Sequence, residues 1–162
     1  LGGVGPPAHV YAAYMHKPTG NVFSATVTDQ PTRFTGTPHT EVNGINLWLK
    51  DGQASEIHLS DLFEPGSNWE KAVVDSVFRG AKIEHQNYED PNPFDLATVP
   101  QDIAKFHGRF WITPTGLGVF IQPSSNWVGI WNYGINVTVP MKSLQPYLRK
   151  DGPLGHLTKK PE

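Results

Sequence analysis

Cysteine is absent from the 162-residue chain. Its absence excludes disulfide bonds, thiolate metal ligands and a thiol nucleophile. No stretch approaches the roughly 18 consecutive apolar residues of a membrane-spanning helix. The formal net charge is −2 and the 13 Lys and Arg form no cluster, so the basic surface expected of a nucleic-acid-binding protein is missing as well.

Patterns typical of catalysis are also missing. The seven histidines show neither His-x-His nor His-Glu-x-x-His spacing, and no serine lies in a Gly-x-Ser-x-Gly segment. These spacings bring ligands or nucleophiles together on one strand, helix or tight turn. The sequence therefore predicts no metal site, no cofactor and no catalytic residue, and it favours a protein that is not an enzyme.

Large side chains and turn residues are plentiful. Hydrophobic residues make up 38% of the chain, including five Trp, five Tyr and eight Phe, and 16 Gly and 15 Pro are spread along it. This composition is typical of a folded, β-rich domain with many short elements. We expect one domain over residues 10–150, preceded by a linker or trimmed end at 1–9 and followed by a flexible tail at 151–162.

Periodicity predicts an α+β fold, with an antiparallel or mixed sheet, one main amphipathic helix packed on it and one or two short helices. The helix should begin at Ser67, because Ser67-Asn68-Trp69-Glu70 has the form of a capping box, and end at Gly80. A short helix at 99–105 should have Thr98 as its N-cap, and another should lie near 143–148. Strands are predicted at 10–15, 22–28, 42–49, 54–59, 110–112, 117–121 and 135–139.

An acidic loop is the first candidate contact region. Between Lys82 and Lys105 there are five acids and no Lys or Arg, and the segment 87–95 contains two Pro and no periodicity. Such a loop should be exposed, where it would either remain solvated or attract a basic partner. Paired carboxylates here could also serve glycoside cleavage. The candidate residues are Tyr88, Glu89, Asp90, Phe94 and Asp95.

An aromatic segment at 126–134 is the second candidate. It places three large aromatic residues among Gly and Asn, just after a predicted strand. Trp and Tyr on loops often anchor protein partners and also stack on sugars. Alternatively, one or two of them fill the end of the core, since Trp is highly buried on average. The candidate contact residues are Trp127, Trp131, Asn132 and Tyr133.

Four short motifs occur in the order found in one bacterial family. They are Phe-Thr-Gly-Thr-Pro-His at 34–39, Leu-Ser-Asp-Leu-Phe at 59–63, Phe-Trp-Ile-Thr-Pro-Thr-Gly-Leu at 110–117 and Gly-Ile-Asn-Val-Thr-Val-Pro at 134–140. Over roughly 10–148 the chain resembles the RsiV-like domain, the ectodomain of a lysozyme-sensing anti-sigma factor. Secreted bacterial antigens and non-catalytic modules of peptidoglycan deacetylases share this domain.

The resemblance implies an α+β, non-catalytic domain outside the cytoplasm, whether secreted, periplasmic or membrane-anchored. It also implies a protein partner such as a lysozyme, which one family member binds through loops that enter the lysozyme active-site cleft. In the 59–63 motif we expect Leu59, Leu62 and Phe63 to be core residues and Asp61 to be a cap. Two other functions stay open, a peptidoglycan-binding module and a hydrolase with an unrecognised carboxylate or His site.

Overall fold

Seven strands form two antiparallel sheets in the computed structural model, which describes residues 9–16, 19–31, 40–87, 96–122 and 134–158. The first sheet has the order β1 (His9–Met15), β2 (Val22–Pro31), β3 (Glu41–Lys50) and β4 (Gln53–Glu56). The second has the order β5 (Phe110–Thr113), β6 (Gly116–Ile121) and β7 (Ile135–Pro140). The α+β class is confirmed, with two sheets in place of the single one predicted.

The main helix, α1 (Trp69–Asn87), packs on β7 of the second sheet. Val73, Val77 and Ala81 recur at helical spacing and are fully buried. The prediction that Gly80 ends the helix is wrong, because α1 continues for seven residues beyond it. A Cβ at position 80 would lie 2.3 Å from Val137 Cγ1, so Gly80 permits the close approach of helix and sheet.

Both predicted helix caps differ from the observed ones. The Ser67 hydroxyl donates to the Glu64 carbonyl at 2.7 Å. The Asn68 carbonyl accepts from Ala72 N–H, so Asn68, and not Ser67, is the N-cap residue that precedes α1. The predicted helix at 99–105 is replaced by two 3₁₀ turns, Leu96–Thr98 and Ile103–Phe106. Asp102, and not Thr98, caps the second turn by accepting from Ala104 N–H at 2.9 Å.

The 59–63 motif is a fold determinant, as the sequence predicts. Leu59, Leu62 and Phe63 are each 1% exposed, and Asp61 caps the 3₁₀ turn Leu59–Leu62 by accepting from the His58 N–H at 2.8 Å. The Phe63 ring stacks on Trp69 at the start of α1, with centroids 4.6 Å apart. The motif therefore joins the first sheet to the main helix.

The fold extends beyond residue 150, where the sequence analysis places the end of the domain. After α2 (Met141–Leu144) and a 3₁₀ turn at Gln145–Tyr147, the chain forms a final turn at Gly155–Thr158. Leu154 is 1% exposed within the core, and Gln145 Nε2 donates to the Leu157 carbonyl at 2.6 Å. Apolar burial and this hydrogen bond hold residues 151–158 against the domain.

A buried polar network joins the two sheets. The Ser24 hydroxyl donates to Asn46 Oδ1 at 2.7 Å, and Asn46 Nδ2 donates to the Phe110 carbonyl at 2.9 Å. Ser24 Oγ also accepts from Ile112 N–H at 2.8 Å. Side chains of β2 and β3 thus satisfy the outer edge of β5, and Gly44 allows the contact because a Cβ there would lie 1.6 Å from the Phe110 carbonyl oxygen.

Candidate binding surface

The nine contact residues predicted from the sequence lie outside the described residues. The acidic segment falls between the end of α1 and the turn at Leu96–Thr98, and the aromatic segment falls between β6 and β7. Their roles stay predictions. The residues are Tyr88, Glu89, Asp90, Phe94, Asp95, Trp127, Trp131, Asn132 and Tyr133.

The described residues present a different candidate, the outer face of the first sheet. Strand register places alternate residues of β1, β2, β3 and β4 on this face, since directly paired residues point to the same side. The opposite, inner face holds the Ser24–Asn46 network and contacts β5. The described side chains of the outer face are Ala13, Met15, Phe23, Ala25, Val27, Asp29, Glu41, Asn43, Ile45, Leu47, Leu49, Ala54 and Glu56.

Several large apolar side chains of the outer face are solvent-exposed. Phe23 is 41% exposed, Ile45 48%, Leu49 39% and Met15 76%, and the smaller Ala25 lies directly opposite Ile45 in the register. With spacings of about 4.8 Å between strands and roughly 3.3 Å per residue, the whole sheet face, apolar and polar residues together, measures roughly 500 Å². Large apolar side chains grouped on one exposed face commonly mark an interaction site.

The described side chains of the outer face carry charge of one sign. Its described side chains include three acids, Asp29, Glu41 and Glu56, and no Lys or Arg. Lys50 of β3 falls on the opposite face. It directly follows Leu49, which lies on the outer face, and successive residues of a strand point to opposite sides. A face that combines exposed apolar side chains with acids complements a cationic protein surface.

Sequence periodicity indicated the two faces of β2 without showing which one is buried. Alternation gives Val22, Ser24 and Thr26 on one face and Phe23 and Ala25 on the other. The structure buries the first set, with Ser24 at 3% and Thr26 at 6% exposure. The more apolar set therefore faces solvent. The sequence shows the alternation, but composition alone would assign the apolar set to the core.

Two clefts lie beside the end of the first sheet. One, the Trp48 cleft, has a volume of about 260 Å³ and is lined by Trp48, Lys50, Ser55, Glu56, Ile57, Asp61, Arg149, Asp151, Gly152 and Pro153. The other has a volume of about 240 Å³ and brings His58 and His107 together. Within the described ranges, no three His, Asp or Glu residues are grouped closely enough to hold a metal ion.

Arg149 and Asp151 form the best-defined charged pair of the Trp48 cleft. Arg149 Nε lies 2.7 Å from Asp151 Oδ1, and its Nη2 lies 3.1 Å from Oδ2. The hydrogen bonds and charge of Asp151 raise the pKa of the Arg149 guanidinium, and the hydrogen bonds from Arg149 lower the pKa of the Asp151 carboxyl. Both groups therefore stay ionised around neutral pH.

Comparison with known proteins identifies the fold. No family model and no curated protein sequence matches the chain. Among solved structures it is similar to a member of the DUF3298 family from Bacteroides fragilis, with a TM-score of 0.61 and 11% sequence identity. The chain shares the fold of that DUF3298 member. The similarity covers 94% of this chain and 58% of the Bacteroides chain, so this chain spans little more than half of that protein.

No helix in the described part of the chain is both long and apolar enough to pass through a membrane. Helix α1, the longest described, has 19 residues but carries charged side chains such as Glu70, Lys71 and Arg79 along its exposed surface.

Proposed function

We propose that this chain is a non-catalytic binding domain outside the cytoplasm that recognises a cationic protein, of the kind represented by lysozyme-like cell-wall hydrolases. The outer face of the first sheet is the observation that carries the proposal. Its exposed apolar side chains favour contact with another protein, and its three acids without a described Lys or Arg favour a partner of positive charge.

The size of the outer face fits part of a stable interface. A typical one buries about 800 Å² on each partner, whereas the sheet face measures roughly 500 Å². Additional contacts would come from the predicted loops at 87–95 and 126–134. A second copy of this chain is a poorer occupant, because pairing two such faces would put six acids and no described Lys or Arg into one interface.

The motif resemblance supports the extracytoplasmic and non-catalytic parts of the proposal. The ordered motifs at 34–39, 59–63, 110–117 and 134–140 resemble those of RsiV-like domains. The 59–63 motif also has the structural role expected of it, since Asp61 caps the turn and its leucines are buried.

The central test removes apolar contact area from the outer face. The double substitution Phe23→Ser and Ile45→Ser should weaken binding to a cationic lysozyme by about 2 kcal/mol or more, measured by surface plasmon resonance. Both side chains are more than one-third exposed, so the melting temperature should change little. Ile83→Ser on α1 is the matched control, because Ile83 is 55% exposed and lies away from the sheet.

Charge variants separate the outer face from the acidic loop. Glu41→Gln with Glu56→Gln should slow association at low salt and leave dissociation nearly unchanged, as expected for electrostatic steering. The triple variant of Glu89, Asp90 and Asp95 to amides should do the same if the loop also contributes. Glu64→Gln is the control, since Glu64 is exposed and lies outside the outer face.

Unchanged lysozyme binding by the Phe23/Ile45 variant would remove the outer face from the proposal. If Trp131→Ala alone then abolished binding without loss of stability, the aromatic segment would be the contact site. Absence of saturable binding by the unmodified chain to any cationic lysozyme would refute the proposed partner class.

A further inference from the structure

We infer that the Trp48 cleft is a binding site for a neutral pyranose unit of a polysaccharide, on the side of β3 opposite the outer face and adjoining it at Glu56. Trp48 and Lys50 lie on the inner side of β3, as shown by the Trp48–Ser55 and Lys50–Gln53 pairs. Ile45, Leu47 and Leu49 point to the other side of the same strand. The inference therefore does not rest on the proposed protein-binding function.

The volume of the cleft limits the ligand to about one ring. At about 260 Å³ it is slightly smaller than the pockets of roughly 300–1,000 Å³ that bind drug-sized molecules. Asp151 at its rim keeps three-quarters of its side chain exposed, so the neighbouring units of a longer chain could extend into solvent. A single sugar ring of a polymer satisfies both conditions.

Trp48 supplies the apolar surface of the site. Its indole is half-buried, with one part packed against the hydrophobic core and another lining the cleft. Lys50 Nζ lies 5.0 Å from the ring centroid, which shows that a group can reach the ring from outside the core. The C–H groups on one face of a pyranose can stack there. The exposed cation–π contact contributes only about 0.5–1 kcal/mol, so a ligand can displace the Lys50 ammonium from the ring.

Arg149 and Asp151 supply the directional hydrogen bonds. Their mutual contact uses two nitrogens of the guanidinium and both carboxylate oxygens, and it leaves further N–H donors on Arg149 and further lone pairs on Asp151. Adjacent hydroxyl groups of a sugar both donate and accept, so they match such a planar pair.

The backbone around this pair is fixed before any ligand binds. Arg149 N–H donates to the Leu62 carbonyl at 3.0 Å, and Gly152 N–H donates to the Arg149 carbonyl at 3.1 Å. Leu154, three residues after Asp151, is anchored in the core. A rigid scaffold of this kind reduces the entropy cost of positioning the polar groups.

The mixture of charges favours a ligand without net charge. Lys50 and Arg149 are cationic, whereas Glu56, Asp61 and Asp151 are anionic, and all five line the cleft. A strongly anionic or cationic group would approach a like charge as closely as an opposite one. A polyhydroxylated neutral ring can use the donors and the acceptors together.

Titration of the whole chain with cellotriose and with tri-N-acetylglucosamine tests the site by ¹H–¹⁵N NMR. We expect saturable shifts of the Trp48 indole N–H, assigned with Trp48→Phe, and a Kd of about 1 mM, which corresponds to about −4 kcal/mol. Arg149→Lys, which loses the planar fork, and Asp151→Asn should each weaken binding about tenfold. Lys50→Met should bind as tightly as the unmodified chain or more tightly.

Asp75→Asn is the matched control, because it breaks the exposed Lys71–Asp75 ion pair of α1 at a distance from the cleft. It should leave saccharide binding unchanged. Either the lack of saturable Trp48 shifts with both saccharides, or equal affinity in Arg149→Lys and the unmodified chain, would overturn the inference. Binding of a tripeptide in the cleft where both saccharides fail would also overturn it. None of these results bears on lysozyme binding at the outer face.

Discussion

Removing Ser24 Oγ should reveal how strongly the two sheets depend on their buried polar junction. Ser24→Ala deletes a hydroxyl that donates to Asn46 Oδ1 and accepts from Ile112 N–H. Ser24 is 3% exposed, Asn46 2% and Ile112 1%, so the two released groups cannot readily turn to water. At roughly 1–3 kcal/mol for each buried unsatisfied group, the free energy of unfolding should fall by about 3 kcal/mol.

Asn46→Ala should cost a similar amount, because it releases the Phe110 carbonyl and the Ser24 hydroxyl. The double variant leaves only two groups unpaired, Ile112 N–H and the Phe110 carbonyl, in place of the four expected from summing the single variants. Its cost should therefore stay near that of one single variant. The resulting coupling energy is about 2–3 kcal/mol, toward the upper end for side chains that interact directly.

Urea denaturation followed by tryptophan fluorescence measures these free energies, and a thermal melt should show a decrease of about 6–12 °C for each single variant. Ser55→Ala is the control, because the Ser55 hydroxyl makes one exposed contact of 3.5 Å to the Trp48 carbonyl. Its effect should be within about 0.5 kcal/mol. If Ser24→Ala costs less than about 1 kcal/mol, or the single variants are additive, the junction is not a coupled network.

Two other predictions concern stability. Burial lowers the pKa of His16, which stacks on Trp111, so the unfolded chain binds a proton at a higher pH than the folded one. The free energy of unfolding should decrease as the pH falls below about 6.5, the ordinary His pKa. His16→Phe should reduce this pH dependence, measured by urea denaturation at pH 5 and 8. An equal change in unfolding free energy between the two pH values in both chains would contradict the prediction. Gly44→Ala should destabilise by about 3 kcal/mol or more, because its Cβ meets the Phe110 backbone. Gly80→Ala should cost less, since it meets a side chain and gains helix propensity; the opposite order of melting temperatures would refute this reasoning.

Local patterns were enough to predict most of the elements. The hairpin at 110–121 follows from two apolar runs around Thr113-Pro114-Thr115-Gly116, and the Thr113 hydroxyl closes that turn by accepting from Gly116 N–H at 3.1 Å. The spacing of Val73 and Val77 similarly fixes the inward side of α1. These features depend on neighbours in sequence, whose geometry is set by backbone preferences and periodicity.

Boundaries that depend on distant residues could not be predicted in this way. Glycine is typical of a helix end because of its backbone preferences. At position 80, however, the lack of a side chain allows close contact with Val137, 57 positions later in the chain. Leu154 follows a Gly/Pro segment that favours a frayed tail, yet it fits into the core. The Trp48 cleft likewise forms only when β3 and the turn containing Arg149 and Asp151 meet.

The period of two in β2 and β3 was determined by the sequence alone, whereas the choice of the buried face was made by tertiary structure. Alternation places the side chains of Ser24 and Phe23 on opposite faces of the sheet, but it does not determine which of the two faces packs against the core. Ser24 is buried because Ile112, 88 residues away, needs an acceptor, and Asn46 is buried because Phe110, 64 residues away, needs a donor. Satisfying the backbone of β5 therefore directs the polar face inward and leaves the apolar one exposed as the candidate binding surface.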